Sequence, residues 1–420
     1  MSTLKYWVWF SDVSGVRTKT KKLLMEHFSD PQAIYFANEG EYKALEEISD
    51  SEIQALGNKD LTRAENILTS CADLGAEILT LNDARYPARL KNIYDPPAVL
   101  YVLGKLPWLD EEVPIAIVGT RRATPYGIKM GKRFGYEITK GGGLIVSGLA
   151  EGVDTAGAQG ALRAGGSCIG VLGTAIDVVY PKSNKTLFED IKAVGALISE
   201  FPPGAKTKAS NFPQRNRIMS GLSLGVVVIE APKSSGSLIT ASRAADQGRD
   251  VFVVPGNADA PNCVGSNELI RDGAKIVMRG DDVLAEYEGL YPSRIKRLSS
   301  NQVQIPQEDA KPEASETAAP QPELEADLPE EKEKKPRRFE LPSLRRQKKP
   351  TLESQLAELT PEQLKVISSI GTEGAHLDDI IERCGAPSPQ VMANLTVLQI
   401  KGFITQEKGK RFTLNVISRK

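Results

Sequence analysis

Between residues 113 and 288, short unbroken apolar runs recur at roughly 20 to 30 residue intervals, each followed by a helical pattern; that spacing dictates a parallel sheet covered on both faces. The runs fall at residues 115–118, 144–147, 168–172, 196–199, 226–229, 251–254 and 276–278. A sheet with one wet face would alternate apolar and polar residues instead. The segment is therefore read as a doubly wound α/β domain. In such sheets ligands gather beyond the carboxyl ends of the strands, near the point where strand order reverses, so the loops after the strands are where a site is expected.

The flanking segments differ in kind. Residues 1–72 carry helical patterns at 20–28, 41–47, 51–56 and 61–71, with Ser49, Asp50 and Asp60 as N-caps, and read as an all-α cap of the SAM or HhH-like type. Ser14-Gly15-Val16 is either a glycine turn at a helix start or a hairpin turn whose amides grip a DNA backbone. Residues 73–112 become extended at 78–81 and 99–102, with turns at Tyr86-Pro87 and Asp95-Pro96-Pro97, and read as a docking segment against the α/β domain of 113–290. Residues 291–350 are dominated by Pro, Glu, Lys, Ala and Gln without periodicity, so a disordered linker is expected, basic at 345–349. Residues 351–420 show helices opening at Thr360-Pro361-Glu362 and covering 377–383 and 388–401, then a hairpin around Lys408-Gly409-Lys410. That pattern is a winged helix.

Charge and chemistry narrow the function. Lys+Arg number 53 against Asp+Glu 54 in 420 residues, a formal net charge of -1, so any binding of nucleic acid must come from a local patch. Cys71, Cys168, Cys263 and Cys384 lie far apart without a C-x-x-C pair, which argues against zinc and disulfides and fits a reducing cytoplasm. No apolar run approaches the roughly 20 residues of a membrane span, and residues 1–10 lack a signal-peptide core, so a soluble cytoplasmic protein without membrane contact is expected. The two histidines, His27 and His376, lie outside the α/β domain, so no Ser-His-Asp or Cys-His site can be assembled in it. Asp154, Asp177, Glu200 and Glu230 stand where helix caps or loop braces are expected, Asp154 as an N-cap. Neither a catalytic residue, a metal set nor a cofactor site is expected.

The loops instead suit anions. Gly119-Thr120-Arg121-Arg122 leads to a helix start at Pro125-Tyr126-Gly127, offering amides and positive charge without a G-x-G-x-x-G or Walker pattern. Gly127, Gly131 and Gly135 recur at helix spacing, as close packing of helix on sheet requires. Ser147-Gly148 opens a second small-residue turn, and Lys182 follows Tyr180 after the third strand, either a phosphate contact or a solvated lysine. Phe212-Pro213-Gln214-Arg215-Asn216-Arg217 reads as a cationic turn with many donors and no carboxylate. Ser235-Gly236-Ser237 opens a helix as a further anion cradle. Tyr126, Tyr180, Phe201 and Phe212 lie near these loops, and Phe212 is the stacking candidate, a stacked base contributing about 1 to 3 kcal/mol. One small phosphate needs one such loop; several along one sheet edge suit a strand carrying several phosphates.

Taken together, Val118-Gly119-Thr120-Arg121 with Tyr126-Gly127, Ser147-Gly148-Leu149-Ala150-Glu151-Gly152-Val153-Asp154, Tyr180-Pro181-Lys182, Phe212 to Ile218, Ser235-Gly236-Ser237-Leu238-Ile239-Thr240-Ala241, Gly248-Arg249-Asp250-Val251 and Pro255-Gly256 resemble the DprA/Smf family in order and spacing. The resemblance covers 113–288; the flanking helices and winged helix are similar in placement. It implies an extended Rossmann-like domain without nucleotide cofactor that binds single-stranded DNA, forms a homodimer, and loads the RecA recombinase onto incoming strands in natural transformation. By position, Arg121 and Lys182 match basic DNA-contacting residues of the family, Arg215 and Arg217 belong to its F-P-x-R-N-R turn, and Leu269 with Ile270 is the dimer stretch. One departure stands out: where the family commonly has Ala-His after the aspartate, this sequence has Gly157-Ala158.

Two other readings compete. A phosphoribohydrolase of the lysine-decarboxylase-like family needs a P-G-G-x-G-T-x-x-E signature, and here Thr240 stands where its glutamate would be. A duplex-reading regulator would use the third winged-helix helix, which has one basic residue and few side chains for base edges. The expected strand site is thus Gly119, Arg121, Arg122, Ser147, Gly148, Lys182, Phe212, Arg215, Asn216, Arg217, Ser235, Gly236 and Ser237.

Overall fold

In the computed structural model, which describes residues 3–296, 360–371, 374–400, 403–407 and 411–414, the apolar runs form seven parallel strands. They are β3 (Pro114–Val118), β4 (Leu144–Ser147), β5 (Cys168–Leu172), β6 (Ala196–Ser199), β7 (Gly225–Val228), β8 (Asp250–Val253) and β9 (Lys275–Ile276). Ile115 and Ile117 enter the core on one face of β3 while Ala116 and Val118 enter the core on the other, which is why the run lacks polar alternation.

Ahead of them lie β1 (Glu77–Thr80) and β2 (Val99–Gly104), and the sheet order is β1-β2-β6-β5-β4-β3-β7-β8-β9. Both pair antiparallel, β2 against β6 with Tyr101 opposite Ser199. Residues 73–112 therefore do more than dock: they extend the sheet. From β3 the chain steps outward through β4 and β5 to β6, then returns through the helix Asn211–Leu222 to place β7 beside β3. Strand order reverses between β3 and β7, and the returning helix packs against β3, β4 and β5.

Six helices precede the sheet, and the first, Leu4–Asp12, was not expected. It buries Trp7, Val8, Trp9 and Phe10, in a core continuous with Val99 and Tyr101 of β2. Ser49 caps the helix Asp50–Gly57 in a capping box with Glu52, as its sequence indicated.

The helix Pro125–Lys140 lies against the helix Val153–Arg163 rather than simply on the sheet. A Cβ at Gly135 would run into the carbonyl oxygen of Gly157, and one at Gly131 would come within 2.8 Å of the Ala156 Cβ. These glycines serve helix-on-helix contact, a correction to the sheet packing expected of them. Gly127 instead faces the Glu230 carboxylate.

Residues 291–296, expected to open the linker, are ordered on the α/β unit. Lys296 N–H donates to Gly141 O at 2.9 Å, and Arg294 pairs with Glu112 at 3.1 Å, so residues 291–296 still belong to the α/β unit. From 297 on the linker, with its basic end at 345–349, lies outside the described residues, as does Lys408-Gly409-Lys410.

A second compact unit holds the helices Pro361–Ile370, Leu377–Cys384 and Ser388–Ile400 with a small sheet, β10 (Ala375–His376), β11 (Ile404–Glu407) and β12 (Arg411–Leu414), ordered β10-β12-β11. Thr360 and Gln363 form the capping box of its first helix, and Ile380, Leu395, Leu398 and Phe412 form its core. This is a winged helix.

Candidate nucleic-acid interface

The reversal between β3 and β7 is locked before any ligand arrives. Thr120 N–H donates to Glu230 O at 2.7 Å, tying the loop after β3 to the end of β7. The buried Glu230 carboxylate accepts from Thr124 N–H at 2.9 Å and from the Thr124 hydroxyl, while Thr124 caps the helix Pro125–Lys140 by accepting from Gly127 N–H. Glu230 is a brace. Arg121 and Arg122 project from this turn, exposed, and form no ion pair among the described residues.

The segment expected to be a cationic turn is a helix, Asn211–Leu222, with Pro213 in its first turn, where no backbone N–H is needed. Residues two apart on a helix do not share a face, and Arg215 and Arg217 reach different partners. Arg215, 5% exposed, donates to Gly148 O at 2.8 Å, to Val171 O, and from Nε to Asn216 Oδ1 at 3.2 Å. It thereby staples the loop after β4 to the end of β5. Arg217, 4% exposed, donates to Asp95 at 2.9 Å and to Glu200 at 2.7 Å. Burial opposes its charge, but the two carboxylates outweigh that and raise its pKa. The missing carboxylates of the sequence come from distant turns.

Ser147 and Gly148 are also structural. The buried Ser147 hydroxyl donates to Asp154 O at 3.0 Å and accepts from Leu149 N–H at 3.2 Å. A Cβ at Gly148 would meet both Arg215 Nη2 and Asp154 Oδ2 at 2.7 Å, so only glycine fits between them. Asp154 is not the cap expected of it: Gly152 holds that position, and Asp154 lies inside the first turn. Burial pushes its pKa up to about 6, against the pull of Arg215 and of the Ala150 and Gly119 amides. Burial likewise lowers Arg215 to about 10, with Asp154 opposing.

The exposed part of the site is aromatic and cationic. Phe212, on the first turn of its helix, packs against Gly173 and against Tyr180, ring centroids 5.4 Å apart at 47°. The Arg121 guanidinium stands over the Phe212 ring, 5.5 Å from its centroid. Arg121, Gly148, Gly173, Tyr180, Phe212 and Arg215 line one notch of about 10 Å³. That volume holds about one water. The site is a surface to lie on, not a pocket. Lys182 is exposed on the 3-10 turn Lys182–Asn184, anchored where Asn184 Nδ2 donates to Leu149 O at 3.0 Å and to Thr155 Oγ1 at 2.8 Å.

At the helix start after β7, Ser235 accepts from Ser237 N–H at 3.3 Å and the two hydroxyls lie 2.7 Å apart, so these serines serve each other first. Gly236 is exposed, with Asn216 Nδ2 donating to its carbonyl at 3.4 Å. Leu269 is buried in the core of its own chain and Ile270 packs partly against it, whereas Ile276 and Met278 at the β9 edge are 56% and 60% exposed. Among the described residues no group of His, Cys, Asp and Glu could hold a metal, and no helix is long and apolar enough to cross a membrane.

With this geometry in view, the family described as DNA recombination-mediator protein A matches residues 77–288, and the DprA winged helix domain matches 350–410. The chain belongs to the DprA/Smf family. Its role is accordingly DNA processing and the mediation of recombination. Protein Smf of Synechocystis sp. is 33% identical over 413 residues, spanning 97% of this chain and 98% of that one. The DNA processing protein DprA of Streptococcus pneumoniae is 45% identical over 208 residues, spanning 49% of this chain and 72% of that one. An X-ray structure of DprA from Streptococcus pneumoniae superposes with a TM-score of 0.61 at 33% identity, covering 68% of this chain and 99% of that chain.

Within this DprA/Smf chain, Gly157-Ala158 has a packing role. A Cβ at Gly157 would come within 2.9 Å of Ile117 Cγ2, and Ala158 is fully buried. Tyr180, expected near these loops, and Glu230, expected as a cap or loop brace, are both found there, and Asn184 joins them without having been singled out. The first had a signal, an aromatic two residues before Lys182; the roles of the other two depend on contacts distant in sequence.

Proposed function

We propose that this chain binds single-stranded DNA along the carboxyl ends of β3, β5 and β7, with Phe212 and Tyr180 under the bases and Arg121, Arg122 and Lys182 against the phosphates. The observation that carries the reading is the half-buried Phe212 ring with the exposed Arg121 guanidinium over it and the exposed Tyr180 ring beside it. A duplex hides the faces of its bases, so rings presented on a surface favour unstacked bases. The Ser235-Gly236-Ser237 turn lets the backbone approach the strand, Gly119 and Gly148 serve it from within by close packing on Val153 and on the Arg215–Asp154 pair, and Asn216 joins that turn to the Phe212 helix. Arg215 and Arg217 act from beneath by fixing the helix that carries Phe212. The reading needs neither a cofactor nor a catalytic residue. Binding of a labelled single strand by the full chain beside Phe212→Ala tests it, and equal affinities would contradict it.

In this reading the protein works in the cytoplasm as a homodimer and passes the strand to the RecA recombinase in natural transformation and homologous recombination, in keeping with the recombination-mediator family. An unpaired edge strand with exposed apolar residues favours association, and the β9 edge with Ile276, Met278 and the neighbouring Ile270 is the proposed dimer surface. Met278→Arg and Ile270→Arg should halve the mass in solution; an unchanged mass would place the interface elsewhere. RecA should co-sediment with the strand-bound protein, and its absence from the pellet would remove that partner.

A further inference from the structure

A wider groove of about 860 Å³ lies between the N-terminal helices and the loop over residues 201–211. Asn211 lines the groove and the next residue, Phe212, lines the notch, so both spaces border the first turn of one helix. On the loop side the groove carries Lys206 and Lys208, both exposed and without an ion pair among the described residues. The carboxylates on the opposite wall are already engaged. Asp12 takes Arg63, with Nη2 donating to Oδ1 at 3.0 Å, and Asp60 accepts from Thr62 N–H at 2.9 Å. Asp60 keeps its charge, because an amide donor does not neutralise a carboxylate, so Arg63, Lys206 and Lys208 against Asp12 and Asp60 leave the lining with one positive charge in excess.

We infer that this groove is a second station on the strand's path, and that the N-terminal helical segment is thereby part of the DNA-binding surface. The inference rests on the single-strand reading above. Beyond Phe212 the strand passes Asn211 and lays phosphates against Lys206 and Lys208, with the Ser14 turn as the far wall. The volume lies in the range of roughly 300–1,000 Å³ that ligand sites occupy, whereas the notch at Phe212 has room for little more than the edge of a ring. A strand continuing from the notch fits both the shape and the charge of the groove.

The test compares two lengths of single strand on the full chain: about 6 nucleotides, near the low end of the 4–16 that one single-strand-binding fold covers, and about 20. Lys206→Glu combined with Lys208→Glu should leave affinity for the short strand within about twofold and weaken the long one by about tenfold or more. The slope of log affinity against log salt for the long strand should become shallower by about 1.4, at 0.7 per phosphate contact given up. Ser14→Glu, which places a carboxylate on the far wall, should give the same length-selective loss. All three positions are exposed, and unchanged thermal unfolding would show that the variants fold. Equal loss for both lengths, or a Ser14→Glu variant that binds the long strand like wild type, would overturn the inference. If Arg121→Ala weakens both lengths while the groove variants change nothing, only the groove falls. If wild type binds neither length, the single-strand reading falls with it.

Discussion

Arg121, on the turn after β3, holds its guanidinium 5.5 Å from the ring centroid of Phe212, on the first turn of the helix that returns the chain to β7. The contact joins the turn after β3 to a ring packed at the end of β5, and in the proposed reading it places a charge for phosphate beside a face for a base. Phe212→Ala should weaken single-strand binding by about 1–3 kcal/mol, the value of one stacked base, with duplex binding little changed. Phe212→Tyr should keep most of the affinity. Fluorescence anisotropy with a labelled oligonucleotide measures both, and a Tyr variant as weak as the Ala variant would count against stacking.

Arg217 and Arg121 should fail in opposite ways. Arg217→Met strands Asp95 and Glu200 beside an apolar side chain, and breaking such a buried network costs about 3–5 kcal/mol. Arg121→Ala removes an exposed side chain and should change stability by no more than about 0.5 kcal/mol. Urea unfolding distinguishes them. Equal stability losses would mean that the two arginines do not divide into brace and contact.

Gly135→Ala should destabilise the α/β unit by about 1–3 kcal/mol, because the added methyl meets the Gly157 carbonyl where two helix backbones touch. Gly236→Ala has nothing within 4 Å of the new methyl and should be nearly neutral for stability. Thermal unfolding of both variants checks the contrast.

Asp154 makes stability depend on pH in an unusual sense for a carboxylate. Its folded pKa of about 6 lies above the ordinary 3.8, so between these values the folded state holds the proton more tightly than the unfolded state. Its contribution is fully present below the ordinary pKa and is lost as pH rises through about 6, roughly 3 kcal/mol in all. The stability of wild type minus that of Asp154→Asn should therefore fall across this window and level off above it. A flat difference between pH 4 and 7 would contradict the assignment.

Much of this was written in the sequence. The runs at 144–147, 168–172 and 196–199 became β4, β5 and β6 because a strand buried on both faces is apolar throughout and ends at its turns. The helix Leu4–Asp12 was missed because Thr3 provides no side-chain cap and an aromatic run has little helical periodicity to read. The cationic stretch misled for a different reason: Pro213 looks like a breaker yet sits in a first turn, where proline is tolerated. The carboxylates that bury Arg217 come from Asp95 and Glu200, and no local pattern announces them. Exposed cations such as Arg121 could be named from sequence, as could Glu200 and Glu230 as caps or braces, whereas what each brace holds requires the tertiary fold.

The most direct measurement is the affinity of the full chain for a single strand and for its duplex across a salt series, for wild type beside Arg121→Ala and Lys182→Ala. The single strand should bind more tightly, with each substitution making the log–log salt slope shallower by about 0.7, one phosphate contact given up. Duplex bound as tightly as single strand, or slopes unchanged in both variants, would contradict a strand track along this sheet edge.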